Sequence, residues 1–321
     1  MKKLNIEDIE KIFKRPLISL VSEACSIHQK EFPHGKIQAS SLLSIKTGGC
    51  PENCTYCPQS AHYNTGVSKS SLLTKDEVIQ AALKAKEMGA NRFCMGAAWR
   101  EIRDGVEFDQ VCELVSAVSN LNLEVCCTLG MLTGTQARKL KSAGLDFYNH
   151  NIDTSPEFYD KIVQTRTYSD RLETLLRVRQ ANLKICTGGI LGMGESDHDR
   201  MSFIQQIVNM ETIPESITIN MLVRTKGTPL ENVAPIDPLD IVRTIATIRI
   251  LAPRSMIRLS AGRTSLSSEA QFLCFISGAN SIFLGDKLLT SPNPDFSEDQ
   301  QLLEKCGLSF SQVNENESHD L

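Results

Sequence analysis

The sequence lacks the features that mark nucleic-acid-binding, membrane and secreted proteins. It has no run of like charges, its formal net charge is −4 over 321 residues, and 22% of its residues are charged. A basic nucleic-acid surface is therefore not indicated, and the composition is typical of a soluble metabolic protein. No apolar segment reaches the length of a membrane span, and residues 1–13 lack the uninterrupted apolar core of a signal peptide. We therefore expect a cytoplasmic protein that binds neither nucleic acid nor membrane.

Two common catalytic patterns are also missing. The glycine-rich segment GGILGMGES, residues 188–196, does not fit G-x-G-x-x-G, so a dinucleotide site is unsupported. No His/Asp or Ser/His arrangement points to acid–base or nucleophilic catalysis. The chain shows no linker, internal repeat or low-complexity segment, and its length suits one large domain or two average ones.

Cysteine, by contrast, is abundant. There are 11 cysteines, and an odd number of thiols in a reducing compartment argues against a disulfide framework and for metal or redox chemistry. Cys50, Cys54 and Cys57 form a C-x3-C-x2-C pattern on a polar loop. A structural zinc ion takes four ligands, whereas three thiolates on one loop suit three corners of a cubane iron–sulfur cluster. A zinc site with His62 as fourth ligand is the alternative, although structural zinc sites usually draw on a second, distant ligand pair.

Eight short apolar runs alternate with segments of helical periodicity. The predicted strands are 41–47, 91–96, 123–130, 145–151, 183–190, 216–222, 256–261 and 280–285. Helical segments include 74–89, 168–182 and 237–252. In the first of these, Thr74 and Glu77 form a capping box and Gly89 ends the helix. This alternation predicts an α/β fold, a (β/α)8 TIM-type barrel, with a doubly wound open sheet as the alternative.

Three segments follow from this pattern. Residues 1–40 are predicted to form an N-terminal helical extension and residues 41–308 the barrel. Residues 309–321 form a polar tail that we expect to be disordered. The three-cysteine loop directly follows the first predicted strand, which places it on the face of a barrel where active sites are built.

A second set of reactive residues is spread over four predicted strands, which carry Cys94, Cys126, Cys186 and Arg258. Strands of a barrel converge on its axis, so these residues can meet inside. The alternative is three packing cysteines and an arginine that pairs with an acidic residue, because an unpaired buried charge is costly. Adjacent strand residues point to opposite faces, so only one of Cys126 and Cys127 can face the axis.

The three-cysteine loop, with Tyr56 just before its third cysteine, resembles the signature loop of the radical S-adenosylmethionine superfamily. Together with FCMGAAWR, YNHNIDT, INMLVRTKGTPL and IRLSAGR, it resembles the biotin synthase family over residues 15 to 308 or so. The resemblance implies a barrel that holds two clusters. A [4Fe–4S] cluster would be bound by Cys50, Cys54 and Cys57, with S-adenosylmethionine on its open iron. A [2Fe–2S] cluster would be bound by Cys94, Cys126, Cys186 and Arg258, with Cys127 facing the helices.

The resemblance also implies residues that bind the small molecules. Those for S-adenosylmethionine are Tyr56, Asn151, Asp153, Arg171, Gly188 and Gly189. Asn151 and Asp153 would contact the ribose, and their spacing on a predicted strand places them on one face. Arg171 would pair with the carboxylate, although its helical pattern alone is typical of a surface residue. Tyr56 would lie along the adenine, and the two glycines would let the backbone approach the methionyl end.

For the substrate dethiobiotin, the residues implied are Asn151, Asn220, Thr290 and Ser291. The two asparagines would face the ureido ring, and Thr290 and Ser291 would hold the carboxylate. The implied activity is sulfur insertion that converts dethiobiotin to biotin. A 5′-deoxyadenosyl radical would remove hydrogen at C9 and then at C6, and the [2Fe–2S] cluster would supply the sulfur. Such C–H bonds are too weakly acidic for general-base catalysis, which accounts for the missing acid–base patterns.

The partners implied by the resemblance are flavodoxin or ferredoxin as electron donor, iron–sulfur assembly proteins for cluster repair, and a second copy in a homodimer. Three alternatives stay open. One is a related radical enzyme with another substrate. The others are a non-catalytic iron–sulfur sensor and a zinc-stabilised structural protein.

Overall fold

A computed structural model describes residues 3–311 of the chain. Its parallel sheet closes into a barrel because β1 pairs with β8 on one side and with β2 on the other. The strands are β1 (Lys36–Lys46), β2 (Arg92–Ala97), β3 (Glu124–Thr128), β4 (Phe147–Asn149), β5 (Lys184–Leu191), β6 (Ser216–Met221), β7 (Met256–Leu259), β8 (Ser281–Leu284) and β9 (Ser309–Phe310). The predicted (β/α)8 TIM-type barrel is confirmed.

The helices lie outside the barrel. They are α1 (Ile6–Phe13), α2 (Leu17–Glu31), α3 (Lys75–Glu87), α4 (Val106–Ser119), α5 (Gly134–Ser142), α6 (Pro156–Ile162), α7 (Tyr168–Gln180), α8 (Asp197–Val208), α9 (Pro238–Leu251), α10 (Ser268–Ile276) and α11 (Phe296–Lys305). The capping box predicted for α3 is present, since the Thr74 side chain accepts from the Glu77 amide and Glu77 accepts from the Thr74 amide. Gly89, with φ of +88°, ends that helix in a conformation that favours glycine.

Two differences from the predicted boundaries have a clear physical reason or add an element. The first strand begins at Lys36 rather than at residue 41, because Gln38 and Ser40 face the barrel interior and hide the strand from an apolar pattern. Ser309 and Phe310, assigned to the tail, form β9 beside β1. The rest of the predicted tail, 312–321, lies outside the described residues.

The strands divide their side chains between two environments. The apolar core lies between sheet and helices and takes Phe93, Val125, Cys127, Tyr148, Ile185, Ile217, Ile257 and Ile282 from the strands. The opposite faces point into the barrel and are largely polar or sulfur-bearing. Because successive strand residues alternate sides, the apolar side chains pack between the sheet and the helices, and the polar and sulfur-bearing side chains line the barrel axis.

The N-terminal helices α1 and α2 pack against α8, α9 and α10. Asn5 caps α1 through a capping box with Asp8. Among the described residues, no helix combines the length and apolar character that crossing a membrane requires.

Candidate active site

The strand cysteines converge inside the barrel. Cys94 lies directly opposite Cys126 in the register of β2 and β3, and Cys186 lies opposite Asn149 in the register of β4 and β5. Each of the three cysteines is at most 3% exposed. They pack together with Phe147 and Phe283 in a cluster separate from the outer core. Cys127 packs in the outer core, as the alternation of strand residues predicts.

Arg258 completes this inner group from β7. It is fully buried, and its Nε and Nη2 atoms donate to the hydroxyl oxygens of Ser281 at 3.0 Å and Ser40 at 2.8 Å. Its guanidinium carbon lies 4.5 Å from the centre of the Phe283 ring. None of the ion pairs within the described residues includes Arg258, so the alternative of an arginine paired with an acidic residue is not supported.

The pKa values of the three inner thiols are shifted by their mutual hydrogen bonds and by two nearby arginines. Hydrogen bonding to Cys126 lowers the pKa of Cys94 and that of Cys186, while the same contacts raise the pKa of Cys126. The charges of Arg258 and Arg92 lower the pKa of Cys94 and Cys186 further. Iron binds thiolates, and this buried cationic site offers three sulfur donors, with Arg258 beside them as the implied fourth ligand. These residues therefore fit the implied [2Fe–2S] group.

The three-cysteine loop follows β1 at the carboxyl end of the barrel. It is closed by the Cys50 amide, which donates to the Gln59 carbonyl at 2.9 Å, and by the Ala61 amide, which donates to the Cys50 carbonyl at 2.7 Å. Burial raises the pKa of Cys50, that of Cys54 to about 11 and that of Cys57 to about 12. These thiols hold their protons at neutral pH, and a bound metal centre would replace the protons with iron. The donor set fits the implied [4Fe–4S] group.

The zinc alternative gains no support at this loop. The Nε2 atom of exposed His62 lies 3.0 Å from the carbonyl oxygen of Pro51. Within residues 3–311, no three His, Cys, Asp or Glu side chains converge closely enough to hold a single metal ion.

A single cavity of about 250 Å³ joins the two cysteine sets. The three-cysteine loop contributes Tyr56 and Cys57 to its lining, and the strands contribute Cys94, Cys126 and Arg258. The implied substrate residues also line it, namely Asn151, Asn220, Thr290 and Ser291. The implied site residues outside this lining are Cys50, Cys54, Asp153, Arg171, Cys186, Gly188 and Gly189.

Asp153 and Arg171 form a buried ion pair beside the loop. Asp153 also accepts a hydrogen bond from the Tyr56 hydroxyl at 2.8 Å, and Arg171 donates to the Asn151 carbonyl at 2.6 Å. Arg171 is 3% exposed, so the surface position suggested by its helical pattern is wrong. The strand predicted to carry Asn151 and Asp153 ends earlier, at Asn149, and Asp153 adopts a φ of +66°, so strand alternation does not relate the two side chains.

The two glycines of β5 are required by neighbouring protein atoms. A Cβ at Gly188 would lie 1.9 Å from the Thr218 carbonyl oxygen, and one at Gly189 would lie 2.5 Å from the Asp153 carbonyl oxygen. The Asn220 side chain joins this region to the segment after β7, since it donates to the Gly189 carbonyl at 3.0 Å and accepts from the Ala261 amide at 3.2 Å. Both ends of the Asn220 amide are thereby oriented at the cavity wall.

The sequence pattern did not identify two residues that contact the cysteines or their loop. Asn149 donates to the Cys186 sulfur at 3.3 Å and lines the cavity. Its place at the carboxyl end of a barrel strand, where active-site residues gather, is the signal that would have found it. Glu52 lies between two loop cysteines, is 2% exposed and forms ion pairs with Arg100 at 3.4 Å and Arg166 at 3.8 Å. No local pattern marks that contact, because both arginines are distant in sequence.

The barrel, its three-cysteine loop and the cavity beneath that loop define a radical S-adenosylmethionine enzyme. Residues 44–207 match the family model described as "Radical SAM superfamily", and residues 218–309 match that described as "Biotin and Thiamin Synthesis associated domain". The chain belongs to the biotin synthase family. It is 53% identical to the biotin synthase of Myxococcus xanthus, over 95% of this chain and 88% of that protein. It is 54% identical to the biotin synthase of Synechococcus elongatus, over 96% of each chain.

Solved structures share the fold at low sequence identity. Methylornithine synthase superposes with a TM-score of 0.81 at 18% identity, covering 97% of this chain and 95% of that one. The [FeFe]-hydrogenase maturase of Carboxydothermus hydrogenoformans superposes with a TM-score of 0.80 at 17% identity, covering 95% of this chain and 75% of that one. These structures support the barrel architecture alone.

Proposed function

We propose that this chain catalyses the insertion of sulfur into dethiobiotin to give biotin. The observation that supports this most is the single cavity lined both by the three-cysteine loop and by Cys94, Cys126 and Arg258. A radical-generating centre and a sulfur source must both reach one substrate, and a shared cavity meets that requirement.

The residues divide between the two clusters as their positions suggest. Cys50, Cys54 and Cys57 would hold the [4Fe–4S] cluster, and the inner group of Cys94, Cys126, Cys186 and Arg258 would hold the [2Fe–2S] cluster. When bound, these clusters and S-adenosylmethionine supply hydrogen abstraction and the sulfur atom. The protein contributes binding, orientation and a buried, cationic environment.

The S-adenosylmethionine site would lie at the upper part of the cavity, against Tyr56. Asn151 and Asp153 would contact the ribose. Arg171 would reach the carboxylate while sharing its guanidinium with Asp153, so the ion pair would hold both groups in one arrangement. Gly188 and Gly189 would keep the backbone of β5 low enough for the methionyl end, in addition to the close approach of neighbouring protein atoms.

Dethiobiotin would occupy the lower part of the cavity, between the loop and the inner cysteines. Asn220, held by hydrogen bonds at both ends of its amide, would present a fixed donor and acceptor to the ureido ring together with Asn151. Thr290 and Ser291 would hold the substrate carboxylate with hydroxyl and amide donors. Leu42, Phe283 and Leu288 line the same cavity and would exclude water from the reacting carbons.

We also propose the cellular setting implied by this chemistry. The cysteines within the described residues are all free thiols, which suits a reducing cytoplasm. Flavodoxin or ferredoxin would supply electrons, iron–sulfur assembly proteins would rebuild the second cluster, and the chain would work as a homodimer.

Anaerobic reconstitution with iron and sulfide, followed by turnover with dethiobiotin, S-adenosylmethionine and a reductant, tests the proposal. Mass spectrometry should detect both biotin and 5′-deoxyadenosine. Formation of 5′-deoxyadenosine without biotin would overturn the substrate and keep the radical chemistry. Formation of neither product by a protein that holds both clusters would overturn the activity.

A further inference from the structure

Arg92 is a second buried guanidinium in the barrel interior, and the cluster ligands do not account for it. It lies on β2 two residues before Cys94, so both side chains occupy the same face of the strand. It is 1% exposed. Its Nε and Nη2 atoms each lie 3.0 Å from one Glu124 carboxylate oxygen, and its guanidinium carbon lies 3.5 Å from the centre of the Phe147 ring. The group is therefore fixed in plane and position.

One donor of this fixed group is left over. The Nη1 atom of Arg92 is buried and has no hydrogen-bond partner in the described part of the chain. A buried donor without an acceptor destabilises the folded state. Folded proteins rarely retain such a group unless a bound molecule or ion supplies the acceptor.

The surroundings of Arg92 are those of the inner cysteines. Phe147, on which the guanidinium stacks, lies opposite Cys126 in the strand register and packs with the three inner cysteines. Ser40, which accepts a hydrogen bond from Arg258, lies opposite Arg92 in the register of β1 and β2. The two arginines therefore border the thiols from β2 and from β7.

We propose that Arg92 is a positioning residue for the [2Fe–2S] cluster, to which its Nη1 atom donates a hydrogen bond at a cluster sulfur. This inference rests on the proposed function, because it requires the inner cysteines to hold that cluster. Hydrogen bonds to the sulfurs and nearby charge set the reduction potential of such clusters. A positive charge at this place stabilises the reduced, more negative form and raises the potential.

Three variants separate the charge of Arg92 from its hydrogen bond. R92M/E124Q removes the guanidinium without leaving a carboxylate unpaired. R92K keeps a positive charge and loses the planar fork that places Nη1. K184M is the matched control, since Lys184 contributes a cation 5.4 Å from the same Phe147 ring but is exposed to solvent, which screens its charge.

The anaerobically reconstituted proteins are compared by visible circular dichroism and by optical redox titration of the [2Fe–2S] cluster. We expect a more negative potential in R92M/E124Q, altered dichroism with a smaller shift in R92K, and wild-type values in K184M. If R92M/E124Q takes up the [4Fe–4S] cluster but loses the [2Fe–2S] cluster, the positioning role is also supported.

Wild-type dichroism and potential in R92M/E124Q would overturn the inference. If that variant takes up neither cluster, the test is the comparison of R92K with wild type. An unchanged dichroism spectrum and reduction potential in R92K would then overturn the inference. A wild-type protein that binds no [2Fe–2S] cluster would instead overturn the proposed function, so the two failures are distinguishable.

Discussion

Cys94 and Cys126 lie directly opposite each other on paired strands inside the barrel, whereas Cys127, the next residue, packs in the outer core. The side chains of Cys126 and Cys127 therefore point to opposite sides of β3.

We expect C126A to lose the iron of the [2Fe–2S] cluster and keep that of the [4Fe–4S] cluster. C127A, the matched control, should keep both and lower the free energy of unfolding by about 1 kcal/mol. Iron and sulfide analysis after reconstitution measures this, and full iron in C126A would contradict the ligand assignment.

The buried pair of Asp153 and Arg171 should contribute to stability as well as to cofactor binding. D153A leaves the Arg171 guanidinium without its carboxylate and places alanine at a φ of +66°, a conformation that alanine disfavours. We therefore expect a loss of about 3–5 kcal/mol in the free energy of unfolding. Asparagine tolerates that conformation, so D153N should lose less. Urea unfolding of the metal-free proteins measures both, and equal stability of D153A and wild type would contradict the role of the ion pair.

Removal of the Tyr56 hydroxyl tests the contact between the three-cysteine loop and Asp153. Y56F should take up the [4Fe–4S] cluster normally, because no thiol is altered. We expect its KM for S-adenosylmethionine to rise by about 5–10-fold, the equivalent of about 1 kcal/mol, which is the net contribution of one typical hydrogen bond. Steady-state kinetics measures this change. An unchanged KM would show that the hydroxyl does not help to hold Asp153 for the cofactor.

Gly188 should be intolerant of any side chain. In G188A the new methyl group would meet the backbone carbonyl of Thr218, which cannot rotate away, so we expect a loss of at least about 3 kcal/mol in the free energy of unfolding. G134A is the control, because Gly134 begins α5 and its added methyl group would meet only the flexible end of Arg138. That variant should be neutral or gain up to about 1 kcal/mol. Thermal unfolding compares the two, and similar midpoints would contradict the close packing of β5 on β6.

The stability of the metal-free protein should depend on the loop thiols at alkaline pH. Burial raises the pKa of Cys54 to about 11 in the folded state, above its unfolded value, so folding favours the protonated thiol. This contribution is complete below about pH 8.5 and is lost as the pH rises towards 11, by at most about 1.4 kcal/mol per pH unit for each thiol. Urea unfolding between pH 7.5 and 10.5 measures the slope. C54A should show a shallower decline than wild type, and equal slopes would contradict the shift.

Much of this architecture follows from local pattern. Strand alternation assigned Cys126 and Cys127 to opposite faces, and the Thr74–Glu77 capping box marked the start of α3 correctly. These features depend on residues within a few positions of one another, and their physical causes act over the same short range.

The remainder depends on residues that meet only in the folded barrel. The pairing of Asp153 with Arg171 and of Glu52 with Arg166 joins distant segments, so no spacing predicts either. The start of β1 was missed because Ser40 faces a polar interior, where the usual apolar alternation does not apply. Inward-facing polar residues in this barrel thus form part of the candidate site and also break the apolar alternation from which strands are predicted.

The central claim, that sulfur held by the inner cysteines is transferred to dethiobiotin, is tested most directly by isotope labelling. The metal-free protein is reconstituted with ³⁴S-sulfide, excess sulfide is removed, and a single turnover is followed by mass spectrometry. The account predicts biotin that carries ³⁴S in wild type and C127A, and 5′-deoxyadenosine without biotin in C126A. Unlabelled biotin from the ³⁴S-loaded wild type, or labelled biotin from C126A, would contradict it.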